Sequence, residues 1–190
     1  WDFSISSLNS SSWIKHCSGQ ARAGADVPQS KPPIIEPQPR KVAGHVWYRA
    51  MKKLGFEYGP RFLCMEEITA HTTQKIAVAT IHDDAQPGES PWIVHPAALD
   101  AILQIYSVAA YFGLPRNFPY ASVPRYIDEL YLKPPSGPVT LRVIADEIPT
   151  RGSISGDLVG SSNGEVVVSM KGVSLSRIGE SESDTGDDPH

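Results

Sequence analysis

His95-Pro96-Ala97-Ala98-Leu99-Asp100-Ala101-Ile102-Leu103-Gln104 opens the segment whose reading decides the fold. From Pro96 to Phe112 the polar residues are Asp100, Gln104 and Ser107, spaced i, i+4 and i+7, which places them on one face of a helix. The remaining positions are apolar or aromatic, and a helix that is hydrophobic nearly all round is a buried helix. A buried carboxyl is costly unless it is paired, hydrogen-bonded or protonated. The polar stripe is therefore expected to line a pocket. Pro96 in the first turn, with Gly113 and Pro115 past the far end, supplies the punctuation such a helix needs.

Downstream, residues 123–132, 139–147, 154–159 and 165–178 read as strands. They are separated by Pro134-Pro135-Ser136-Gly137, Arg151-Gly152 and Ser162-Asn163-Gly164, the last a strong hairpin signal. Residues 83–91 are a polar loop. Upstream, residues 62–70 and 73–82 are rich in Ile, Val and Thr and predict two strands joined through His71-Thr72, entered by the turn Tyr58-Gly59-Pro60. Val46, Trp47, Ala50 and Leu54 fall at helical spacing within residues 42–54, with Gly55 where a helix ends. One long buried helix among many strands predicts an α+β layer architecture, with the sheet wrapped around the helix.

Toward the N-terminus, residues 2–7 and 13–23 read as strands around a turn at residues 9–12, forming a hairpin. Pro28, Pro32, Pro33, Pro37 and Pro39 then give a semi-extended linker composition. The expected division is strands at 1–23, linker at 24–40, the main unit at 41–178, and an acidic, Ser-rich frayed tail at 179–190.

The 190 residues are 41% hydrophobic and 20% charged, with a net charge of −4. That suits one well-filled core and argues against both general disorder and a nucleic-acid footprint. The sequence lacks a run of about 18 apolar residues, so an ordinary membrane-spanning helix is not expected. Cys17 and Cys64 are far apart and suggest a reducing cytoplasm and no disulfide framework. Neither an initiator methionine nor a signal-peptide pattern precedes Trp1, so the chain is expected to be excised from something longer. Metal-ligand spacings and nucleotide loops are missing, and neither a metal nor a directly bound cofactor is expected.

The stretch 95–104 resembles the second active-site motif of polyketide synthase dehydratase domains. Gly55-Phe56-Glu57-Tyr58-Gly59-Pro60-Arg61-Phe62 is similar to the Tyr-Gly-Pro-x-Phe motif that opens the second half of those domains. Trp13-Ile14-Lys15-His16-Cys17-Ser18-Gly19 resembles the strand closing their first half in fungal highly reducing synthases, and Val123-Pro124-Arg125-Tyr126-Ile127 resembles a Pro-containing strand start after the helix. The resemblance implies a double hotdog fold, in which each half wraps a curved antiparallel sheet around a central helix and the active site lies where the halves meet. It implies that this chain carries the end of the first hotdog and the whole second, C-terminal hotdog.

The implied reaction is loss of water from a β-hydroxyacyl thioester, giving an α,β-unsaturated thioester. It needs a base for the α-proton and an acid for the departing hydroxyl. Desolvation on a buried helix suits Asp100 to the acid role. Gln104, one turn on, is expected to orient it. Ser107 is expected to pack. The candidate substrate-binding residues are Tyr58, Gly59, Pro60, His95 and Pro96; of these, Gly59 and Pro60 set the turn and His95 holds the loop at the helix start.

The family's base is a histidine in a His-x-x-x-Gly-x-x-x-x-Pro motif, and none of His16, His45, His71, His82, His95 or His190 has that context. The base is expected from an N-terminal segment outside this chain. The resemblance implies a substrate carried on the phosphopantetheine of an acyl carrier protein, with Arg116, Arg125 and Lys133 as positional candidates for its phosphate. Further implied partners are the other synthase domains and the N-terminal hotdog half, with a homodimer left open. Two alternatives stand beside this reading: a non-catalytic structural hotdog, and a product-template-like cyclase or isomerase in the same fold.

Overall fold

Alternating small polar and apolar residues pair β1 (Asp2–Asn9) with β2 (Ser12–Gln20) as an antiparallel two-stranded sheet. The computed structural model describes residues 1–24, 32–82, 86–146 and 153–178. Every residue of the hairpin is exposed, Trp1, Ile5, Leu8 and Trp13 among them. The expected second strand ends at Gln20 and not at residue 23.

The main unit runs β3 (Arg40–Lys41), α1 (Gly44–Lys53), β4 (Met65–Ala70), β5 (Ile76–Ile81), α2 (Pro96–Ala110), β6 (Ser122–Tyr126), β7 (Glu129–Leu132), β8 (Val139–Ala145), β9 (Ser153–Ser162) and β10 (Glu165–Arg177). Its antiparallel sheet has the order β3-β4-β5-β8-β9-β10-β6, with β7 also on β10. The period-2 pattern of β8 turns Val139, Leu141, Val143 and Ala145 inward. α2 lies across that face, burying Ala98, Ala101, Ile102, Ile105, Tyr106 and Ala109 against side chains such as Ala79, Leu141 and Val143. Alanines at three of those six helix positions let the backbone approach the strands. α1 is amphipathic, and its Trp47 stacks on Phe118 with ring centroids 5.3 Å apart.

Several expected boundaries moved, each for a local reason. Pro60 fixes a 3₁₀ turn over Pro60–Phe62, so the strand expected from residue 62 begins at Met65. The turn between β4 and β5 spans residues 71–75, longer than His71-Thr72 alone, because the His71 ring accepts the backbone N–H groups of Thr73 and Gln74. The single strand expected over 123–132 splits into β6 and β7. There β10 shifts register between Met170 and Val173, and Gly172 adopts φ +57 with the Asp128 carboxyl where a Cβ would sit. The hairpin at Asn163-Gly164 forms as expected, both residues at positive φ between β9 and β10.

Beyond α2, Gly113 has φ +64 and donates its N–H to Val108 O; a Cβ there would lie 2.5 Å from Val42 and 2.8 Å from Ala70. Linker residues 25–31, the Arg151-Gly152 turn and the tail at 179–190 lie outside the described residues. Among the described residues, none of the helices is long and apolar enough to cross a membrane.

Candidate active site

His95 starts α2 as an N-cap. Its Nδ1 accepts the Ala97 N–H at 3.0 Å, Pro96 occupies the first turn, and Leu99 N–H donates to His95 O at 2.9 Å. Because Nδ1 accepts, the ring proton sits on Nε2, which faces Glu89 Oε2 at 3.6 Å. Glu89 also pairs with the Arg61 guanidinium and accepts the Gln86 N–H at 2.8 Å. These contacts hold the Glu89 carboxyl below its ordinary pKa, Arg61 contributing most. Thus the loop before α2 is tied to the turn that follows Tyr58.

The polar stripe of α2 lies where its spacing put it. Asp100 is half-buried, while Gln104 and Ser107 are buried. Gln104 Nε2 donates to Asp100 Oδ2 at 2.6 Å and to Phe62 O at 3.1 Å, and Ser107 Oγ donates to Gln104 O at 2.7 Å. Phe62 O can only accept, so the Gln104 amide orientation is determined by its neighbours. Burial pushes the Asp100 pKa above its ordinary value, and the Gln104 hydrogen bond offsets that only in part.

Tyr58 faces the same cavity, stacked against Phe56 at 5.6 Å and Phe62 at 6.2 Å and edge-on to Tyr48 at 6.5 Å. Its phenol is pushed up by burial and then by the Asp100 charge, so it stays a neutral hydroxyl at physiological pH. The cavity is small, about 80 Å³, and its walls include Leu103, Phe118, Ser122 and Ile154.

Asp100, Gln104, Ser107 and Tyr58 therefore come together. His95 and Pro60 do not join them. They line a separate open cleft of about 450 Å³ with Arg61, Cys64, Glu66 and His82. Gly59 sets the turn at φ −67 with open space where a Cβ would project, and Pro96 is exposed at the helix start. Of the basic candidates, Lys133 is held by Glu165 at 2.6 Å, while Arg116 and Arg125 are exposed. Among the described residues, His, Cys, Asp and Glu form no cluster that could hold a metal ion.

Two members of the site were not among the site residues expected from the sequence. Phe62 acts through its carbonyl oxygen, which no side-chain pattern reveals. Ser122 reaches the cavity from β6.

The family model described as "Polyketide synthase dehydratase N-terminal domain" matches residues 26–185. The chain belongs to the polyketide synthase dehydratase family. Highly reducing polyketide synthase pspA of Penicillium soppii is 38% identical over 191 residues, covering 100% of this chain and 8% of its own length. Highly reducing polyketide synthase gloL of Glarea lozoyensis is 42% identical over 188 residues, covering 97% of this chain and 7% of its own. The chain thus spans less than a tenth of these relatives.

Among solved structures, the dehydratase domain from the CurJ module of Curacin polyketide synthase superposes with a TM-score of 0.74 at 16% identity, over 93% of this chain and 63% of that one. The CurK dehydratase gives 0.68 at 24% identity, over 93% and 62%. Two further CurK dehydratase structures are inactive mutants, one with aspartate changed to asparagine and the other with histidine changed to phenylalanine. The antiparallel sheet wrapped on α2 is the hotdog fold that these dehydratase domains share.

Proposed function

We propose that Asp100 is the general acid of a dehydratase that removes water from a β-hydroxyacyl thioester. The observation that carries this reading is a half-buried carboxyl with a raised pKa, oriented by Gln104 and facing a cavity walled by Tyr58, Leu103 and Phe118. In its protonated form it donates to the β-hydroxyl oxygen. The C–O bond breaks with its electron pair going to oxygen, the α C–H pair becomes the new π bond, and the α-proton passes to a base. Gln104 orients the acid, and Tyr58 contacts the substrate as a neutral hydroxyl.

The base in this reading is a histidine of the His-x-x-x-Gly-x-x-x-x-Pro motif, on polypeptide outside these 190 residues. The described histidine nearest in sequence, His95, has its Nδ1 spent on the α2 cap. The two inactive CurK variants, one at an aspartate and one at a histidine, support an acid and base pair of these types.

In this reading residues 41–178 are the second hotdog and the β1–β2 hairpin is the closing piece of the first. The Asp-bearing motif on α2 and the separate sheet of the hairpin support that division. The matching family model bears the N-terminal description, and its match begins at residue 26, after the hairpin. A structure of the longer protein decides between the two: the hairpin must pair with strands preceding Trp1. The substrate is carried on the phosphopantetheine of an acyl carrier protein within the synthase, and no cofactor bound by this chain takes part.

The test is Asp100→Asn in the full-length synthase. Accumulation of the β-hydroxy intermediate is expected. An unchanged product would reduce the domain to a scaffold and end the proposal.

A further inference from the structure

Two residues that line the Asp100 cavity each carry a buried polar atom with no hydrogen-bond partner among the described residues: Gln104 Oε1 and Ser122 Oγ. The Gln104 side chain is deeply buried, with 4% of the residue exposed. Its Nε2 is spent on Asp100 Oδ2 and Phe62 O, so Oε1 is the atom left to act on a ligand in the cavity. Ser122 opens β6, where it is paired with Arg177 of β10, and its hydroxyl is left over by that pairing. A buried polar group without a partner is unfavourable. Two of them beside a carboxyl make a site that suits a small occupant able both to donate and to accept.

We infer that Ser122 Oγ and Gln104 Oε1 form the subsite that receives the water eliminated from the substrate. This rests on the dehydration reading above and adds to it the fate of the leaving group. Before reaction, the β-hydroxyl donates its own proton to Gln104 Oε1, which turns an oxygen lone pair toward the acidic hydrogen of Asp100. When that hydrogen transfers and the C–O bond breaks, the product is a neutral water with two hydrogens and two lone pairs. One hydrogen goes to Gln104 Oε1 and the other to the newly formed Asp100 carboxylate, while the Ser122 hydroxyl donates to the water oxygen. The α-carbon's electron pair forms the double bond and its proton goes to the imidazole base, so atoms and electrons balance. The cavity of about 80 Å³ has room for a water molecule, and three polar partners are the number a buried water typically has.

A water held in place can add back to the enoyl thioester before it leaves, and isotope retention reads this directly. The full-length synthase is given a β-hydroxyacyl carrier-protein thioester labelled with ¹⁸O at the hydroxyl, in unlabelled water. The reaction is stopped at partial conversion and the remaining substrate is weighed by mass spectrometry.

The wild-type protein is expected to return label to the substrate pool. Ser122→Ala is expected to lose it several-fold faster per turnover, with kcat reduced about threefold to tenfold and KM unchanged, as for one lost hydrogen bond. Ser122→Thr, which keeps the hydroxyl, should restore retention. If Ser122→Ala fails to fold, Ser122→Cys keeps the bulk with only a weak donor and gives the same readout. Label loss in the folded variant equal to that of the wild type overturns the subsite. Asp100→Asn separates the two ideas: an inactive Asp100→Asn beside an unaltered Ser122→Ala removes only the water subsite, whereas an active Asp100→Asn removes the dehydration reading itself.

Discussion

The β1–β2 hairpin and the β8–β9–β10 face obey the same period-2 chemistry but differ in what lies against them. Leu141, Val143, Ile154 and Leu158 are buried under α2, whereas Ile5, Leu8 and Trp13 are exposed on strands that, among the described residues, pair only with each other. Apolar alternation alone does not make a core; a second layer does. The same holds within α2, where an acid tolerated on the cavity face would be unaffordable on the sheet face.

The largest expected effect breaks the cavity side of that comparison. Asp100→Asn should cut dehydration about 10²- to 10⁴-fold, the usual worth of a positioned proton donor. The same variant should not lower the melting temperature. A carboxyl whose folded pKa is raised opposes folding as pH climbs from its unfolded pKa through its folded one, because the native state holds the proton longer. A neutral amide removes that opposition, so the wild type should lose stability relative to Asp100→Asn across this window. A pH series of melting curves checks the sign. Activity should fall on the alkaline side as Asp100 loses its proton, and a limb that moves in Gln104→Leu would tie it to this carboxyl.

On the sheet side, Leu141→Ala should cost about 2–5 kcal/mol in urea denaturation, because the site is fully buried between α2 and the neighbouring strands. Smaller is the loss of the α2 cap: His95→Ala should cost about 1 kcal/mol in the same urea denaturation, because it removes the acceptor for Ala97 N–H. Smallest of all is the hairpin. Leu8→Ser should change the stability of the 190-residue chain by no more than about 0.5 kcal/mol. In the full-length synthase the same substitution sharpens the comparison, since a larger loss there means that other polypeptide covers this face.

Much of the fold was legible because its signals are local. The three-residue polar stripe, Pro96 before it and Gly113 after it located α2 to within a turn, and Asn163-Gly164 marked the β9–β10 hairpin. The split of residues 123–132 was not legible, because it depends on Asp128 meeting Gly172 across 44 residues of chain. Asp100 and Gln104 were readable as a pair from i, i+4 spacing, and the Tyr-Gly-Pro-x-Phe motif brought Tyr58 into view. His95 and Pro60 stood in the same motifs yet line a different cleft, since neighbours in sequence point to opposite sides of a turn.

Sequence by itself determined which residues could be buried and which helix carried an acid, because helical periodicity and the cost of burying charge act over a few residues. Only the tertiary structure decided what that acid faces. Tyr58 reaches the cavity from the turn before β4, where Phe62 O also holds Gln104, and Ser122 reaches it from β6; the desolvation that raises the Asp100 pKa exists only once those two segments have closed over α2.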